Sequence, residues 1–552
     1  MSYLKNIISR EELAFQIDVP LRKLTYILYV QGVNNYYKSF EIPKKNGKPR
    51  IINSPQKELK DIQRKLAEKL WEYHETYLEE NNIIINVSHA FEKNKSIISN
   101  AAIHKKKKFV FNVDLEDFFE SFHFGRVRGF FSKSREFLFS EEVATVIAQI
   151  TCYKGSLPQG APSSPIIANL IFNIVDIRIV ELAKRYKLDY TRYADDLTFS
   201  TNDSKFMGRK EKFEQELSEE IKRAGFSLNK NKTRLSYLDS RQEVTGLVVN
   251  DKVNVVRAFY KDTRAMADSL YRNGKFYVKG EKGTVNQLEG RFSFINQIDE
   301  YNSSKEDKNQ KKFHHLNARE NEYRKFLFYK NFFRNNKPLI VTEGKTDILY
   351  LKAALKKEYA KYPDLISKNG EDFQFKIGFL NKTKILRDLM GIQLDGADTM
   401  INIHNFYTGK NGLPNYYNYF IKKYQLKPEH PVVLIFDNEQ KSDRPLRKFM
   451  KAIGRGKEKI VDKYITILGN LYLLTNPLVD KKEECQIEDL FDQTVLDHKI
   501  NGKTFSREPT DNATHYGKAK FSEYIIENFE EIDFKKFIPM LNNLNEIVKN
   551  YK

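Results

Sequence analysis

The chain has 552 residues, 40% hydrophobic and 30% charged, which is too long for one core and too apolar for a disordered polymer, so two to four folded domains are expected. Its net charge of +20 calls for a polyanionic partner. The two cysteines, Cys152 and Cys485, stand far apart with no Cys/His spacing around them, which argues against a disulfide framework or a zinc site and fits a reducing cytoplasm.

The charge is uneven. Residues 1–335 carry 58 Lys+Arg against 43 Asp+Glu, and residues 336–552 carry 35 against 30, so the first part is the expected nucleic-acid binder. No apolar core follows Met1-Ser2-Tyr3-Leu4-Lys5, so no signal peptide is read there. The most apolar window, 165–183, is interrupted by Asp176, Arg178 and Glu181. A soluble, cytoplasmic protein without a membrane partner is expected.

Ser9-Arg10-Glu11-Glu12 predicts a capping box opening an N-terminal helix. Ile42 to Ile52, with Asn46-Gly47 near its middle and basic residues around it, predicts a hairpin whose Arg50 can fork onto phosphate oxygens. A charged helix is expected over about 56–79. Asn100-Ala101-Ala102-Ile103-His104 runs into four lysines, 105–108, placed to follow a nucleic-acid backbone. Phe109 to Val113 reads as a buried strand ending in Asp114. Gly155 to Pro165 is a loop dense in Gly, Pro and Ser, whose small residues let backbone approach a base pair. Thr191 to Ser200 predicts two short strands around a turn holding Asp195 and Asp196. A helix over about 209–224, a stop at Gly225 and a strand over Val244 to Val249 follow. A basic, mostly helical stretch then runs to Phe333.

A hairpin holds two adjacent carboxylates at its tip only if something cationic meets them. If the strand ending in Asp114 is its neighbour, three carboxylates converge at one sheet end, a donor set for two divalent metal ions.

Asp114, Leu157-Pro158-Gln159-Gly160 and Tyr193-Ala194-Asp195-Asp196 occur in the order and spacing of a reverse transcriptase, and the resemblance covers about the first 330 residues. The element Asn100-Ala-Ala-Ile-His104 and the triplet Val244-Thr245-Gly246 resemble those of retron reverse transcriptases. The resemblance implies an α+β right-hand polymerase, with N-terminal helices and fingers over about 1–110, palm over 109–240 and thumb over 241–335. It implies Asp114, Asp195 and Asp196 as ligands of two Mg2+. Alternation of side chains favours Asp195 over Asp196 as the direct ligand. Arg50, Phe119, Gln159 and Gly160 are implied nucleotide contacts, with Phe119 as the gate against a ribose 2′-hydroxyl; its alternative is a core phenylalanine. Asn100, His104, Val244, Thr245 and Gly246 are implied contacts of the cognate structured non-coding RNA. From dNTPs such enzymes make branched RNA-linked single-stranded DNA (msDNA).

Pro338 to Asp347 reads as strand, sharp turn and helix, and Pro431 to Glu439 as a buried strand ending in acids. This pattern resembles a Toprim domain, an α/β fold with a Rossmann-like parallel sheet, which over 336–552 includes a C-terminal helical extension. The resemblance implies Glu343 as metal ligand or general acid–base. It implies Asp347, Asp437 and Glu439 as ligands of Mg2+ or Mn2+, and Glu488, Asp489 and Lys518 as accessory groups. The chain departs from the usual Asp-x-Asp in having Asp437-Asn438-Glu439, one methylene longer at its second acid.

The two resemblances together imply a bacterial retron polymerase fused to a Toprim effector, a metal-dependent nuclease in antiphage defence that can assemble as a homo-oligomer. A ribonucleoprotein scaffold with a non-catalytic Toprim part, and a group II intron-like reverse transcriptase, are the alternatives. With no Gly/Ser-rich linker near 335, the two parts are expected to pack rather than swing.

Overall fold

The computed structural model describes residues 7–43, 49–83, 87–303, 312–393, 398–441, 443–456, 458, 463–508, 511 and 513–551. The turn of the basic hairpin (44–48) and the first five residues of the N-terminal reading lie outside them. Contacts divide the chain into two compact units, Met1–Arg257 and Ala258–Lys552.

In the first unit, Ser9 accepts from the Glu12 amide at 3.2 Å and caps helix α1 (Arg10–Gln16). Strands β1 (Tyr37–Pro43) and β2 (Pro49–Pro55) pair antiparallel. They lead into helix α2 (Lys57–Glu80), which buries Leu59, Ile62, Leu66, Leu70 and Tyr73 along one face, the three-and-four spacing of an amphipathic helix. A capping box at Ser96 opens helix α3 (Ile97–Ile103). Strand β3 (Phe109–Glu116) is the middle of the sheet, its Val110, Phe111, Val113 and Leu115 buried. The long helix α4 (Ser164–Arg185) covers it, followed by β4 (Asp189–Tyr193) and β5 (Asp196–Thr201).

Short strands β6 (Ser227–Leu228) and β7 (Arg234–Tyr237) both pair with β3, giving the order β4-β5-β3-β6 with β7 beside β3. The expected strand over 244–249 is instead a tight hairpin, β8 (Glu243–Val244) and β9 (Leu247–Val248). Thr245 and Gly246 between them take positive φ (48° and 80°), which no continuous strand accommodates.

The second unit begins with helix α5 (Arg257–Asn273), whose first residue closes the first unit, and continues through helix α6 (Val285–Ser303) and helix α7 (Ala318–Phe328). The expected thumb, 241–335, therefore straddles the division, and the expected boundary at 335/336 is not where contacts thin out. The reason is aromatic: Tyr271, Phe292, Tyr323, Phe328 and Phe333 share one core with Phe406, Tyr407 and Phe420. The basic, aromatic join at 323–337 thus places its rings in that core.

Strand β10 (Leu339–Thr342) is followed by helix α8 (Lys345–Lys357). A five-stranded sheet then forms from β11 (Gly378–Phe379), β12 (Val432–Phe436), β13 (Ile465–Leu468) and β14 (Leu471–Thr475), in the order β11-β10-β12-β14-β13. All neighbours are parallel except β13 with β14. Every residue of β10 and β12 is buried, as a parallel sheet covered on both faces requires. Helix α9 (Tyr416–Tyr424) packs its Tyr416 and Phe420 into the aromatic core. Helices α10 (Lys518–Glu527) and α11 (Ile538–Asn550) complete a second core with α8. No helix among the described residues is long and apolar enough to cross a membrane.

The first unit is pinned by one fully buried charge. Arg192 on β4 donates to Asp176 of α4 from Nε at 3.1 Å and from Nη2 at 2.8 Å, and to Asn169 at 3.1 Å. Its guanidinium lies 4.7 Å from the Phe172 ring centre. Asp176→Ala leaves that cation sealed without its counter-ion and is expected to cost about 3–5 kcal/mol in urea unfolding. Replacing Arg192 and Asp176 together by Met and Leu is expected to recover most of the loss.

Candidate active sites

The antiparallel register of β3 with β5 sets Asp114 opposite Asp196. Asp195 is the second residue of a two-residue turn whose first, Ala194, has φ 56°, and the Asp195 carbonyl accepts from the Leu115 amide at 3.0 Å. Desolvation, together with the Asp114 charge, raises the Asp195 carboxyl above its ordinary range. Desolvation and the charges of Asp195 and Asp114 lift Asp196 to about 7, although part of that residue still reaches solvent.

The cation that meets these acids is Lys232, which the sequence reading missed. Its Nζ sits 2.8 and 2.9 Å from the two Asp114 oxygens. Desolvation works against its charge, but the Asp114 hydrogen bond and the three carboxylates outweigh that and raise its pKa. Asn229, whose amide donates to the Asp114 carbonyl at 2.8 Å, starts the short loop that carries Lys232.

The other expected nucleotide contacts lie on β2, on the loop after Gly155 and just beyond β3. Exposed Arg50 lies near enough for its charge to favour the ionised form of Asp195. The Gln159 carbonyl accepts from the Asn53 amide at 2.8 Å, docking the loop on β2. Gly160 has φ +117°, and a Cβ there would stand 2.8 Å from Ile52 Cγ2 and 3.0 Å from the Asn53 carbonyl oxygen, so this contact admits only glycine. Phe119 is half-buried, its ring edge-to-face with Phe118 at 5.4 Å.

The expected RNA contacts need correcting. Helix α3 packs on the β8–β9 hairpin, and Thr245 Oγ1 donates to the Ile97 carbonyl at 3.3 Å, so the two elements do come together. Asn100, His104 and Val244, however, are fully buried and present nothing to RNA in this conformation; exposed Gly246 and half-buried Thr245 remain available. His104 is a brace: its Nδ1 and Nε2 each lie 2.7 Å from a hydroxyl, Ser200 on β5 and Thr191 on β4. Two hydroxyls in the sheet satisfy the ring inside.

In the second unit Glu343 follows β10 and Asp437 follows β12, neighbouring parallel strands. Glu343 Oε1 accepts from the Asp437 amide at 3.0 Å. Asp347 accepts from the Gly344 amide at 2.8 Å, closing the turn into α8. Asp437 Oδ1 accepts from Asn476 at 2.6 Å and from the Ile487 amide at 2.9 Å. Glu439 accepts from Gln486 at 3.1 Å.

These acids repel one another. Desolvation first, then the charges of Asp347 and Glu439, push Glu343 up to about 7. Desolvation and Glu488 hold Asp347 at about 6. Desolvation with Glu343, Asp347 and Glu488 drives Asp437 well above the ordinary carboxyl range.

Of the accessory groups, fully buried Glu488 pairs with Lys518 at 3.1 Å. Asp489 instead turns to Lys482 at 2.8 Å and Arg507 at 2.7 Å. Although desolvation opposes its charge, those hydrogen bonds leave its pKa lowered, so Asp489 is a structural anion. Sequence reasoning also missed Lys382, whose Nζ donates to the Glu343 carbonyl at 2.7 Å.

Among the described residues no group of three or more His, Cys, Asp or Glu is drawn close enough to form a closed metal cage. What fits a hard divalent cation is the donor chemistry: carboxylate oxygens gathered at sheet ends, several of them raised first by burial and then by neighbouring acids, a penalty that a cation would relieve.

Residues 42–254 match the family model described as reverse transcriptase (RNA-dependent DNA polymerase). Over 288 residues the chain is 35% identical to the retron Ec86 reverse transcriptase of Escherichia coli, covering 51% of this chain and 82% of that one. Over 327 residues it is 33% identical to the retron Mx162 reverse transcriptase of Myxococcus xanthus, covering 54% of this chain and 65% of that one.

Desolvation, then the charges of Lys107 and His89, depress His104 from 6.5 to about 3. An unfolded chain takes up this proton below about pH 6.5, while the folded chain refuses it until about pH 3. The brace therefore contributes fully above pH 6.5 and its contribution is lost as pH falls through that window. From pH 7 to pH 5 the loss is about 2 kcal/mol. Unfolding of His104→Gln, measured at both pH values, is expected to lack that part of the wild-type drop.

Proposed function

The chain belongs to the retron reverse transcriptases, RNA-directed DNA polymerases, and from that premise we propose that it copies its cognate structured non-coding RNA into msDNA from dNTPs. We further propose that residues 336–552 are a Toprim effector, a metal-dependent nuclease acting in antiphage defence. The observation that carries the first reading is the register that sets Asp114 against Asp196, with Asp195 in the adjoining turn. The second is supported by the Glu343–Asp437 link across two parallel strand ends.

In the palm, Asp114, Asp195 and Asp196 would hold Mg2+. When bound, the metal supplies activation of the attacking hydroxyl and stabilisation of the departing pyrophosphate. Arg50 orients the triphosphate by its fork of donors. The exposed backbone at Gly160 lies against the nascent base pair, and the Phe119 ring excludes a ribose 2′-hydroxyl. Thr245 and Gly246 meet the RNA at the end of a hairpin that α3 holds rigid.

In the second unit Glu343, Asp347, Asp437 and Glu439 would hold Mg2+ or Mn2+, with Glu488 and Lys518 behind them. Glu343, with a pKa near 7, can hold or release a proton at physiological pH, as a general acid–base requires. A nucleic-acid phosphodiester is the substrate class.

Purified wild-type protein is expected to carry a small nucleic acid sensitive to both DNase and RNase, absent from Asp195→Ala/Asp196→Ala; wild-type protein free of DNA would refute the msDNA reading. Glu343→Ala is expected to keep that nucleic acid but lose Mn2+-dependent cleavage of RNA or DNA and protection against phage. Full protection by Glu343→Ala would instead favour the scaffold reading.

A further inference from the structure

A cavity of about 480 Å³ opens between α5, α7 and α9 of the second unit, away from every residue assigned above. Its size suits a mononucleotide-scale ligand. Lys261, Arg264, Lys325 and Lys423 line it against only two acids, Asp268 and Glu322.

The acids are already engaged. Asp268 accepts from Arg272 at 2.7 Å and from the Tyr424 hydroxyl at 2.7 Å. Glu322 takes Lys325 at 2.9 Å. Lys423 donates to the Tyr419 hydroxyl at 3.0 Å. Lys261 and Arg264, one helical turn apart on the exposed face of α5, have no carboxylate partner among the described residues. Two unneutralised cations at one cavity form an anion site, and an arginine beside a lysine suits phosphate.

A second observation is independent of charge. Tyr271 lines the same cavity and is 2% exposed, yet its hydroxyl has no hydrogen-bond partner. A buried hydroxyl left unsatisfied costs about 1–3 kcal/mol, and a ligand acceptor entering the cavity would relieve it. Half-buried Tyr419 and Tyr424 add aromatic wall, a surface on which a base packs without sequence preference.

We propose that this cavity binds a nucleoside phosphate, its phosphate on Lys261 and Arg264, its second acceptor on the Tyr271 hydroxyl and its base against Tyr419 and Tyr424. A free nucleotide and the terminal nucleotide of a single strand present the same chemistry. The site stands independently of the chemistry assigned to the two carboxylate centres.

Calorimetric titration of the full chain with AMP, a single-stranded RNA pentamer and inorganic phosphate tests this. Lys261→Ala/Arg264→Ala, two exposed changes, is expected to weaken AMP or pentamer binding by about tenfold or more. Tyr271→Phe is expected to weaken it by about three- to tenfold while leaving the melting temperature unchanged or higher, since an orphan hydroxyl is removed. Tighter binding of AMP identifies a free nucleotide, and tighter binding of the pentamer a strand end. The proposal is overturned if both variants bind within twofold of wild type, if inorganic phosphate binds as tightly as AMP, or if neither nucleotide probe binds.

Discussion

The Arg192 guanidinium is the contact through which the palm holds its shape. One nitrogen reaches Asn169, the others grip Asp176, and Nη1 also lies 3.4 Å from the Ala194 carbonyl, one residue before Asp195. Tyr190 donates to the same Asp176 at 2.7 Å. The backbone of Arg192 is held from its other edge, accepting from the His89 amide and donating to the Val87 carbonyl, each at 2.8 Å. A turn that must present two like charges is thereby fastened to α4 by an ion pair that water does not reach. Because both partners are sealed, the pair specifies position more than it adds stability.

Given that anchorage, both carboxylate centres face the same electrostatic problem and meet it differently. In the palm the excess charge is met by one lysine, Lys232, on a loop, with the charge of Arg50 also favouring ionised Asp195. In the second unit the acids lean on fixed donors: the Asp437 amide for Glu343, the Gly344 amide for Asp347, Asn476 and the Ile487 amide for Asp437. The raised values at Asp196, Glu343 and Asp347 reflect burial first and then the charge of neighbouring acids, which neither arrangement fully cancels.

Strand ends and turns were legible because they are local. Phe109 to Val113 is an apolar run that forms a buried strand, Asp195 falls in a two-residue turn, and Gly160 and Gly225 occupy positive φ. What depends on residues far apart was not legible. Lys232 meets Asp114 from 118 positions away, and no spacing rule connects them. By resemblance His104 is an expected RNA contact, and only Thr191 and Ser200, distant in sequence, show its imidazole satisfied inside. Contacts divide the chain after Arg257 rather than near 335, where composition marks a basic, aromatic stretch as a join. Whether such a stretch is a linker depends on whether the chain later supplies rings to pack against it, as Phe406 and Phe420 do.

The second acid of Asp437-Asn438-Glu439 shows how a local departure is absorbed by its surroundings. Asn438 forms a backbone bridge to Cys485, with its amide donating at 2.8 Å and its carbonyl accepting at 2.9 Å. That bridge brings residues 485–487 alongside the acids. The Ile487 amide then reaches Asp437, while the Gln486 side chain reaches Glu439, so one short segment holds both carboxylates from adjacent positions. A glutamate at 439 needs its extra methylene met by a partner of matching reach, and Gln486 is itself a long side chain. Arg444, 3.6 Å from the same Glu439 oxygen, opposes the added freedom of the longer arm. Glu439 therefore keeps its negative charge and a tether, and what its extra methylene adds is the entropy of one further torsion.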